Sequence, residues 1–320
     1  MMSNLNTNTH LNHQNYTVAL ICALEVELSA ARYMLDEEHG RLPTHKLDPN
    51  TYILGTLSGH NTVIAALPQG SLGTVSAATV ATNLSRTFPA IELRLLVGIG
   101  GGIPSTDHDI RLGDVVLALG GVVEYDSGKE TAAGFKRKGT ICHPPAEWRT
   151  AMRRMRSAHW TRPNRIDEFI QDMVRRHPRL VQYRRPPPEE DNLFSADYKH
   201  AVVGSPCGQC DRNKRVFRGQ RAPASAVFYG LIASGNRVIK NAQKRDTLAQ
   251  GAGGAICFEM EAAGLMNHFQ CIVIRGIADY SDSHKNDDWH RYAAAAAAAL
   301  AKELLTYIGP SPRPQGILET

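Results

Sequence analysis

The chain has 320 residues, of which 42% are hydrophobic and 21% are charged, and its formal net charge is +5. Such a composition indicates a globular protein with a sizeable core, large enough for one big domain or two smaller ones. No apolar stretch approaches the roughly 20 residues that a membrane-spanning helix needs, so we expect no membrane partner.

The amino terminus and the cysteines indicate where the protein works. Residues 1–15 are rich in Asn, Thr and His and lack the apolar segment of a secretory signal, so we predict a disordered tail. Three of the six cysteines, Cys22, Cys257 and Cys271, lie in apolar runs that are typical of buried strands. Because buried free cysteines indicate a reduced compartment, we expect a cytoplasmic protein.

The first part of the chain alternates apolar runs of strand type with helical segments. Strands are predicted over residues 16–22, 51–58, 61–66, 93–97 and 112–118, and helices over 23–34 and 70–88. The strand at 93–97 ends in Gly98-Ile99-Gly100-Gly101-Gly102, which we interpret as a tight turn whose backbone N–H groups approach a ligand. This run is not a dinucleotide fingerprint, because its sixth position is Ile103, and it is not a P-loop.

Residues 145–222 differ in character from the segments on either side. They contain most of the basic excess, in Arg149, Arg153, Arg154, Arg156, Arg162, Arg165, Arg175, Arg176, Arg179, Arg184 and Arg185. Such a run is able to bind nucleic acid or acidic lipid, but no aromatic-interleaved basic motif accompanies it. We therefore predict a solvated insertion with helices over 146–157 and 165–176, and no nucleic-acid partner.

One motif inside this insertion suggests a metal ion. Cys207-Gly-Gln-Cys210, with His200 nearby, has the ligand types of a zinc site. A structural zinc site takes four ligands, and neither a second CxxC motif nor paired histidines are present. The sequence therefore predicts no metal and no cofactor.

The remaining segments complete an α/β pattern. Strands are predicted over residues 227–233, 255–258 and 271–277, and helices over 240–250, 261–268 and 288–308. Alternation of this kind predicts a three-layer αβα domain with a central mixed, largely parallel twisted sheet. We expect one domain over 16–309, with the insertion at about 145–222, and a carboxyl-terminal tail over 310–320.

Three carboxylates near the carboxyl-terminal end of this pattern suggest a ligand site. Glu259 and Glu261 lie at a strand-to-helix turn, and Asp279 follows an apolar strand. In α/β proteins ligands usually bind at the carboxyl ends of strands. A pair of ionised carboxylates accepts hydrogen bonds from a vicinal diol, whereas the lone aspartate suits a proton donor. Taken singly, Glu259 and Glu261 could equally be ordinary carboxylates at the start of a helix, and Asp279 could be the N-cap of the following turn.

Six ordered motifs make the ligand site more specific. They are Ala23-Leu24-Glu25-Val26-Glu27, Gly98-Ile-Gly-Gly-Gly102, Gly113-Asp114-Val115-Val116, Gly230-Leu-Ile-Ala-Ser-Gly235, Phe258-Glu-Met-Glu-Ala262 and Arg275-Gly-Ile-Ala-Asp279. This set resembles the purine nucleoside phosphorylase/uridine phosphorylase superfamily, in particular the methylthioadenosine/S-adenosylhomocysteine nucleosidase branch and fungal proteins with this domain. The resemblance covers about residues 16–142 and 223–308. The segment between them departs from the bacterial nucleosidases and is similar to the insertion of fungal members, some of which are fused to signalling modules.

The resemblance implies catalytic and sugar-binding roles. Asp279 matches the general acid at purine N7, which has to hold its proton near neutrality. Glu27 matches the carboxylate that activates water in the nucleosidases. Glu261 matches the residue that binds the ribose 2′ and 3′ hydroxyls, with the Met260 backbone beside it, and Glu259 is included in the site without an assigned role.

The same resemblance implies contacts to the base and to the 5′ end of the sugar. Val238 and Ile239 match positions that stack on the purine and hydrogen-bond to it through the backbone; the nucleosidases have an aromatic residue where Val238 stands, so stacking should be weaker here. Trp289 lies where an aromatic closes over the 5′ end, and Leu24 is apolar enough to accept a thioether there. In the glycine run, Ile99, Gly100 and Gly101 are expected to line the ligand.

Charge decides between hydrolysis and phosphorolysis. A phosphorylase binds a phosphate dianion, usually with arginines, and the family's phosphorylases carry one shortly after strand one and another before the glycine run. Here those regions hold Glu27 and Leu96, and Ile99 replaces the phosphate-binding hydroxyl. We therefore predict a purine nucleoside hydrolase that needs no metal.

Alternatives stay open at this point. They are a phosphorylase with a rearranged phosphate site, a methylthioadenosine nucleosidase and a nucleoside-sensing module without turnover. The run 282–287 is polar enough to contact a 5′ hydroxyl or a phosphate, but we favour unmodified nucleosides. Relatives form dimers or larger assemblies, so the resemblance also implies a homo-oligomer.

Overall fold

A computed structural model of the chain describes residues 11–132, 134–202, 207–222, 225–266 and 269–309. The strands are β1 Val18–Cys22, β2 Glu37–Glu38, β3 Tyr52–Leu57, β4 His60–Ala66, β5 Leu93–Gly102, β6 Val115–Glu124, β7 Gly128–Thr131, β8 Gly134–Arg137, β9 Val227–Ser234, β10 Cys257–Glu259 and β11 Ile272–Asp279. The α-helices are α1 Glu25–Met34, α2 Thr74–Thr87, α3 Ala146–Ala158, α4 Ile166–Arg176, α5 Ala242–Gly251, α6 Ala262–Met266 and α7 His290–Leu305. Short 3₁₀ helices cover His13–Asn15, Pro178–Tyr183, Pro188–Glu190, Cys207–Gln209 and Arg212–Lys214.

Nine of the described strands form one mixed sheet in the order β10-β9-β6-β11-β5-β1-β4-β3-β2. The pairs of β1 with β4 and β5, of β5 with β11, and of β9 with β6 and β10 are parallel. Strands β2 and β3 add antiparallel pairs at one edge. The predicted fold class, a three-layer αβα domain around a mixed, largely parallel sheet, is confirmed.

Strand β10 closes part of this sheet into a ring. It pairs in parallel with β9 through Phe258 and Ala233, and antiparallel with the end of β5 through Phe258 and Gly101. Strands β5, β11, β6, β9 and β10 are therefore hydrogen-bonded in a closed cycle. Glu259, Glu261 and Asp279 follow or end strands of this ring.

The predicted turn at residues 98–102 is wrong, because β5 continues through the glycines to Gly102. A Cβ at Gly98 would overlap the side chains of Arg275 and Glu27, and one at Gly100 would lie 2.7 Å from Cys257 Sγ. A Cβ at Gly101 would overlap Ser281 Oγ. The glycines thus let neighbouring strands and side chains approach β5 closely.

Helix α7 explains the polyalanine run. Its alanines from Ala293 to Ala299 are all buried, and the helix packs against β5 and β11 on one side and α1 and α4 on the other. A Cβ at Gly276 of β11 would overlap the backbone of Ala293. Only small side chains permit this separation between helix and sheet.

The segment 145–222 is more than a solvated insertion. Trp148 and Met152 of α3, and Phe169 and Met173 of α4, are buried in the same hydrophobic core as the sheet, and α4 packs against α7 and α1. The arginines behave as predicted, since all of those named above are exposed except the half-buried Arg185. Both observations follow because α3 and α4 are amphipathic helices. Their apolar side chains face the core, and their arginines face solvent.

Both predicted tails lie largely outside the described residues, which begin at residue 11 and end at 309. Residues 11–15 are ordered, contrary to the predicted tail 1–15. The Asn12 side chain caps the 3₁₀ helix His13–Asn15, and the His13 ring lies 5.2 Å from that of Phe88. Among the described helices none is both long and apolar enough to cross a membrane.

Candidate active site

A pocket at the carboxyl ends of β1, β5, β9 and β11, beside β10, collects most of the residues predicted for the site. It is lined by all of them except Trp289, namely Leu24, Glu27, Ile99, Gly100, Gly101, Val238, Ile239, Glu259, Met260, Glu261 and Asp279. Strand ends bring these residues together because parallel strands finish at the same edge of a sheet, the usual ligand position in α/β proteins.

Glu27 lines the pocket, is buried and is held by backbone N–H groups. It is the third residue of α1, and its Oε2 accepts hydrogen bonds from the N–H groups of Ala23 at 2.7 Å and Leu24 at 2.9 Å. Its Oε1 accepts from the N–H of Ile99 at 2.7 Å. Burial raises the pKa of Glu27, although Arg275 and these hydrogen bonds act in the opposite direction.

Arg275, in the middle of β11, is the cation around which the acidic side chains gather. It is 1% exposed, and its guanidinium donates to Glu259 and, at 3.2 Å, to Glu261 Oε2. Its Nη1 lies 4.0 Å from Glu27 Oε1. Burial lowers the pKa of Arg275, but the three carboxylates raise it more. One cation among three buried carboxylates leaves an excess of negative charge.

The excess of negative charge has its clearest effect on the pKa of Glu261. Burial first, and then repulsion by Glu259 and Glu27, raise the pKa of Glu261 to about 7, against the attraction of Arg275. Its Oε1 also accepts a hydrogen bond at 3.3 Å from the N–H of Gly73, the N-cap of α2. The positive end of that helix favours the ionised carboxylate. Glu261 is therefore poised between its neutral and ionised forms near neutral pH.

The raised pKa of Glu261 predicts how stability depends on pH. Its folded-state pKa of about 7 exceeds the ordinary value of 4.5, so between these values the folded protein holds a proton that the unfolded chain has released. The stabilising contribution of Glu261 is thus fully present below its ordinary pKa and is lost as pH rises through about 7. We expect the urea midpoint of the wild type to fall from about pH 5 to about pH 8 more steeply than that of Glu261→Gln. Equal slopes in the two proteins would contradict the prediction.

The space that Gly98 leaves is a second testable feature. A Cβ there would overlap both the Arg275 guanidinium and the Glu27 carboxylate, which are buried and cannot move into solvent. We expect Gly98→Ala to lower the free energy of unfolding by about 1–3 kcal/mol, as overpacking does. Gly40→Ala is the matched control, because a Cβ at Gly40 meets nothing within 4 Å. An equal effect of the two substitutions on urea unfolding would refute the steric explanation.

Asp279 ends β11 on the other side of the pocket. Its Oδ1 accepts a hydrogen bond from the N–H of Ser281 at 2.8 Å, and its Oδ2 is paired with Lys285 Nζ at 2.6 Å. The Asp279 side chain is 4% exposed and that of Lys285 is 27% exposed. The carboxylate is thus held at the floor by backbone, while its partner Lys285 has access to solvent.

The pocket also has apolar lining residues, in the segment that follows β9 and in β10. Ile239 is buried, whereas the Val238 side chain is 54% exposed at the rim. Phe258 packs edge-on against Tyr125, whose hydroxyl donates to the carbonyl of Arg237 at 2.8 Å. Apolar lining residues such as Ile239 and Phe258 suit a flat heterocycle.

The structure does not bring Trp289 into the pocket. This residue is 1% exposed and packs against Tyr292, with the Arg185 guanidinium 5.4 Å from its ring centre. The next residue, His290, lines the pocket instead, and burial lowers its pKa. One residue along a helix turns a side chain by about 100°, which explains the exchange.

Several lining or supporting residues have no role in the sequence prediction: Gly73, Arg237, Arg275, Ser281 and His290. Lys285 entered that prediction only as part of the run 282–287. Arg275 carried a signal, because an arginine between Ile274 and Gly276 in a strand buried on both faces requires an acidic partner. Lys285 gave no comparable signal within its polar run.

Comparison with known proteins places this geometry in a family. The profile of the phosphorylase superfamily matches residues 17–308. A nucleotide-binding leucine-rich repeat (NLR)-like protein of Hyaloscypha variabilis is 44% identical over 303 residues, covering 93% of this chain and 30% of that protein. The 5′-methylthioadenosine/S-adenosylhomocysteine nucleosidase of Mycobacterium tuberculosis is 25% identical over 298 residues, covering 90% of this chain and 95% of that protein.

Two further similarities concern chain length and fold. The ATP nucleosidase Cap17 of Escherichia coli is 24% identical over 302 residues, covering 91% of this chain and 51% of that protein. The chain therefore spans about half of this relative and less than a third of the Hyaloscypha protein. The Neisseria meningitidis 5′-methylthioadenosine/S-adenosylhomocysteine nucleosidase has the same fold, with a TM-score of 0.59, 19% identity and coverage of 91% and 98% of the two chains. The match over residues 17–308 shows that this chain belongs to the phosphorylase superfamily.

Proposed function

We propose that the chain is a purine nucleosidase, which hydrolyses the N-glycosidic bond of purine ribonucleosides to free base and ribose. The observation that carries the proposal is the convergence of Glu27, Glu261 and Asp279 on one pocket. Glu27 lies in α1, Glu261 between β10 and α6, and Asp279 at the end of β11. Each matches a residue of the superfamily motifs. Relatives named as nucleosidases support the hydrolytic class.

In the proposed reaction each carboxylate has one task. Asp279, in its protonated form, gives its proton to purine N7 as the C1′–N9 bond breaks and the electron pair of that bond passes to the base, which leaves Asp279 as an ionised carboxylate. Glu27 takes a proton from a water molecule whose oxygen then bonds to C1′. Glu261 accepts hydrogen bonds from the ribose hydroxyls, which holds the sugar between the two. We expect the Lys285 ammonium group to leave Asp279 when the purine arrives, because both bind the same carboxylate.

The charges around the pocket support hydrolysis over phosphorolysis. A phosphate dianion beside the sugar would meet Glu27, and the nearby Arg275 is already shared among three carboxylates. A second anion there would add to an existing excess of negative charge. Water carries no charge and meets no such penalty.

The sugar product tests this proposal. The protein is incubated with adenosine, inosine and guanosine, with and without phosphate, and the product is identified by chromatography. Free ribose formed without phosphate supports hydrolysis. Ribose 1-phosphate formed only with phosphate would instead favour a phosphorylase, and no product from any nucleoside would favour the sensing module. Glu27→Gln is the control for activity from contaminating enzymes, since it should lose most of the turnover.

A second candidate substrate is a nucleoside with a 5′ phosphate chain. Arg237 and Lys285 both line the pocket and reach solvent, and one relative is named an ATP nucleosidase. Comparing kcat/KM for ATP, adenosine and methylthioadenosine separates the three cases. A preference for ATP that Arg237→Met abolishes, without loss of adenosine cleavage, would assign the phosphate chain to this cationic rim.

A further inference from the structure

A cluster of metal-binding side chains lies outside the proposed catalytic pocket, in the insertion. One ring nitrogen of His200 and the Sγ atoms of Cys207 and Cys210 lie within 4.8 Å of one another. Within the part of the chain that the structure describes, these three side chains form the one group of at least three His, Cys, Asp or Glu residues that is close enough to share an ion. Cys210 is buried, and the other two are half-buried.

An unpartnered buried histidine lies beside this cluster. His284, in the loop after β11, is 7% exposed, and neither of its ring nitrogens has a hydrogen-bond partner among the residues that the structure describes. Its ring stacks on Phe194 at 4.1 Å and lies 5.2 Å from the His200 ring. Its Nδ1 is 3.6 Å from Asp282 Oδ1, which is too long for a hydrogen bond. An unsatisfied buried polar group is costly and indicates an absent partner.

The cluster and this histidine point to the same ion. The Sγ of Cys207 lies 4.0 Å from the carbonyl oxygen of His284, so the backbone of His284 reaches the cluster. Its ring nitrogens are not among the ligand atoms that lie within 4.8 Å of one another, so its side chain has to turn toward the cluster to supply a fourth ligand. Two sulfur and two imidazole donors suit Zn²⁺ in a tetrahedral site. Zinc–sulfur bonds of about 2.3 Å in a tetrahedral site place the two sulfurs about 3.8 Å apart, a separation compatible with ligand atoms that all lie within 4.8 Å of one another.

We propose that Cys207, Cys210, His200 and His284 form a structural zinc site. Binding converts the two thiols to thiolates, each bonded to zinc, and releases two protons to solvent. Nδ1 of His200 accepts the Val202 N–H at 3.3 Å, and a metal ion bound at this nitrogen would replace that long bond. The sequence predicted no metal because His284 lies far from the CxxC motif in the chain and joins it only through the fold.

This site would hold the insertion against the loop that carries Lys285. Lys285 is the ion-pair partner of Asp279, the proposed catalytic acid. The N–H of His200 already donates to Ser283 Oγ at 3.0 Å, and Lys285 in the same loop is paired with Asp279. Zinc would thus fix a segment of the insertion against the loop 281–285, next to the pocket. The ion is structural and takes no part in the proposed hydrolysis.

Metal content tests the proposal without any assay of activity. The full chain, purified with a histidine-free tag under reducing conditions, is expected to contain about one zinc per chain by mass spectrometry of the metal. Replacement of zinc by Co²⁺ should give the absorption of a tetrahedral ion with sulfur-to-metal charge transfer. Cys207→Ser and Cys210→Ser should lose both signals, whereas Cys142→Ser should keep them, because Cys142 lies outside the cluster.

Further measurements keep the proposal open to refutation. If the serine variants fail to fold, titration of the wild type with a mercurial should release zinc as two thiols react. His284→Ala should weaken zinc binding by about tenfold or more. The proposal is overturned if the reduced wild type binds neither zinc nor Co²⁺, if the serine variants retain the metal, or if Cys207 and Cys210 are found joined in a disulfide in metal-free protein.

Discussion

Replacing Asp279 by asparagine is expected to slow base release by about 10²–10⁴-fold, the range that a positioned general acid contributes. Asparagine has the shape of aspartate, and its side-chain oxygen can still accept the Ser281 N–H bond. It cannot deliver a proton to N7, so only the chemical step should suffer. We expect nucleoside binding, measured by calorimetry, to change by less than about tenfold.

Asp246→Asn is the matched control for this prediction. Asp246 is bonded to Arg245, its side chain is 43% exposed, and it does not line the pocket. Its replacement should leave turnover at the wild-type level. A folded Asp279→Asn protein that loses binding, or one that keeps its full rate, would remove Asp279 from the role of general acid.

Arg275→Met should cost about 3–5 kcal/mol of the free energy of unfolding. Methionine fills much of the same space but leaves Glu27, Glu259 and Glu261 buried without their shared cation. The loss should appear in urea unfolding as a lower midpoint. If this variant does not fold, Arg275→Met combined with Glu259→Gln should recover part of the stability, because it removes one of the stranded charges.

Arg165→Met provides the comparison. Arg165 is bonded to Glu168, and both side chains are largely exposed, so its replacement should cost less than about 1 kcal/mol. A loss of similar size for Arg165 and Arg275 would show that the buried cluster contributes no more than a surface ion pair.

Alternating patterns of buried strand and helix predicted the fold class, because periodicity records which face of each element meets the core. Closure of the ring escaped prediction. It depends on β10, which has three residues and pairs with a strand more than 150 positions earlier, and such pairing leaves no local pattern. The glycines of β5 gave a misleading signal, since turns and close packing both select glycine.

The proposed site was predictable where a motif carries the chemistry, as at Glu27, Glu261 and Asp279. It was not predictable where a residue acts through neighbours that only the fold supplies. Lys285 reaches Asp279 across a loop, and Trp289 differs from His290 by a single step along the chain but lies outside the pocket. Sequence spacing alone cannot resolve such differences, because they depend on where a helix begins.

The closed ring of strands also limits how a ligand reaches the pocket. Strands that are hydrogen-bonded on both sides cannot separate without breaking a ladder, so Glu259 and Asp279, which end β10 and β11, keep a fixed spacing on the ring. The rim is different, since Leu72, Arg237 and Lys285 lie on connecting segments outside the ladders. In the proposed reaction, entry of the nucleoside and departure of the base therefore depend on these segments. Loop motions of this kind occur in microseconds to milliseconds and set the turnover of many enzymes. A substitution at Leu72, which touches none of the proposed catalytic carboxyl groups through a hydrogen bond, should therefore alter product release and leave the chemical step unchanged.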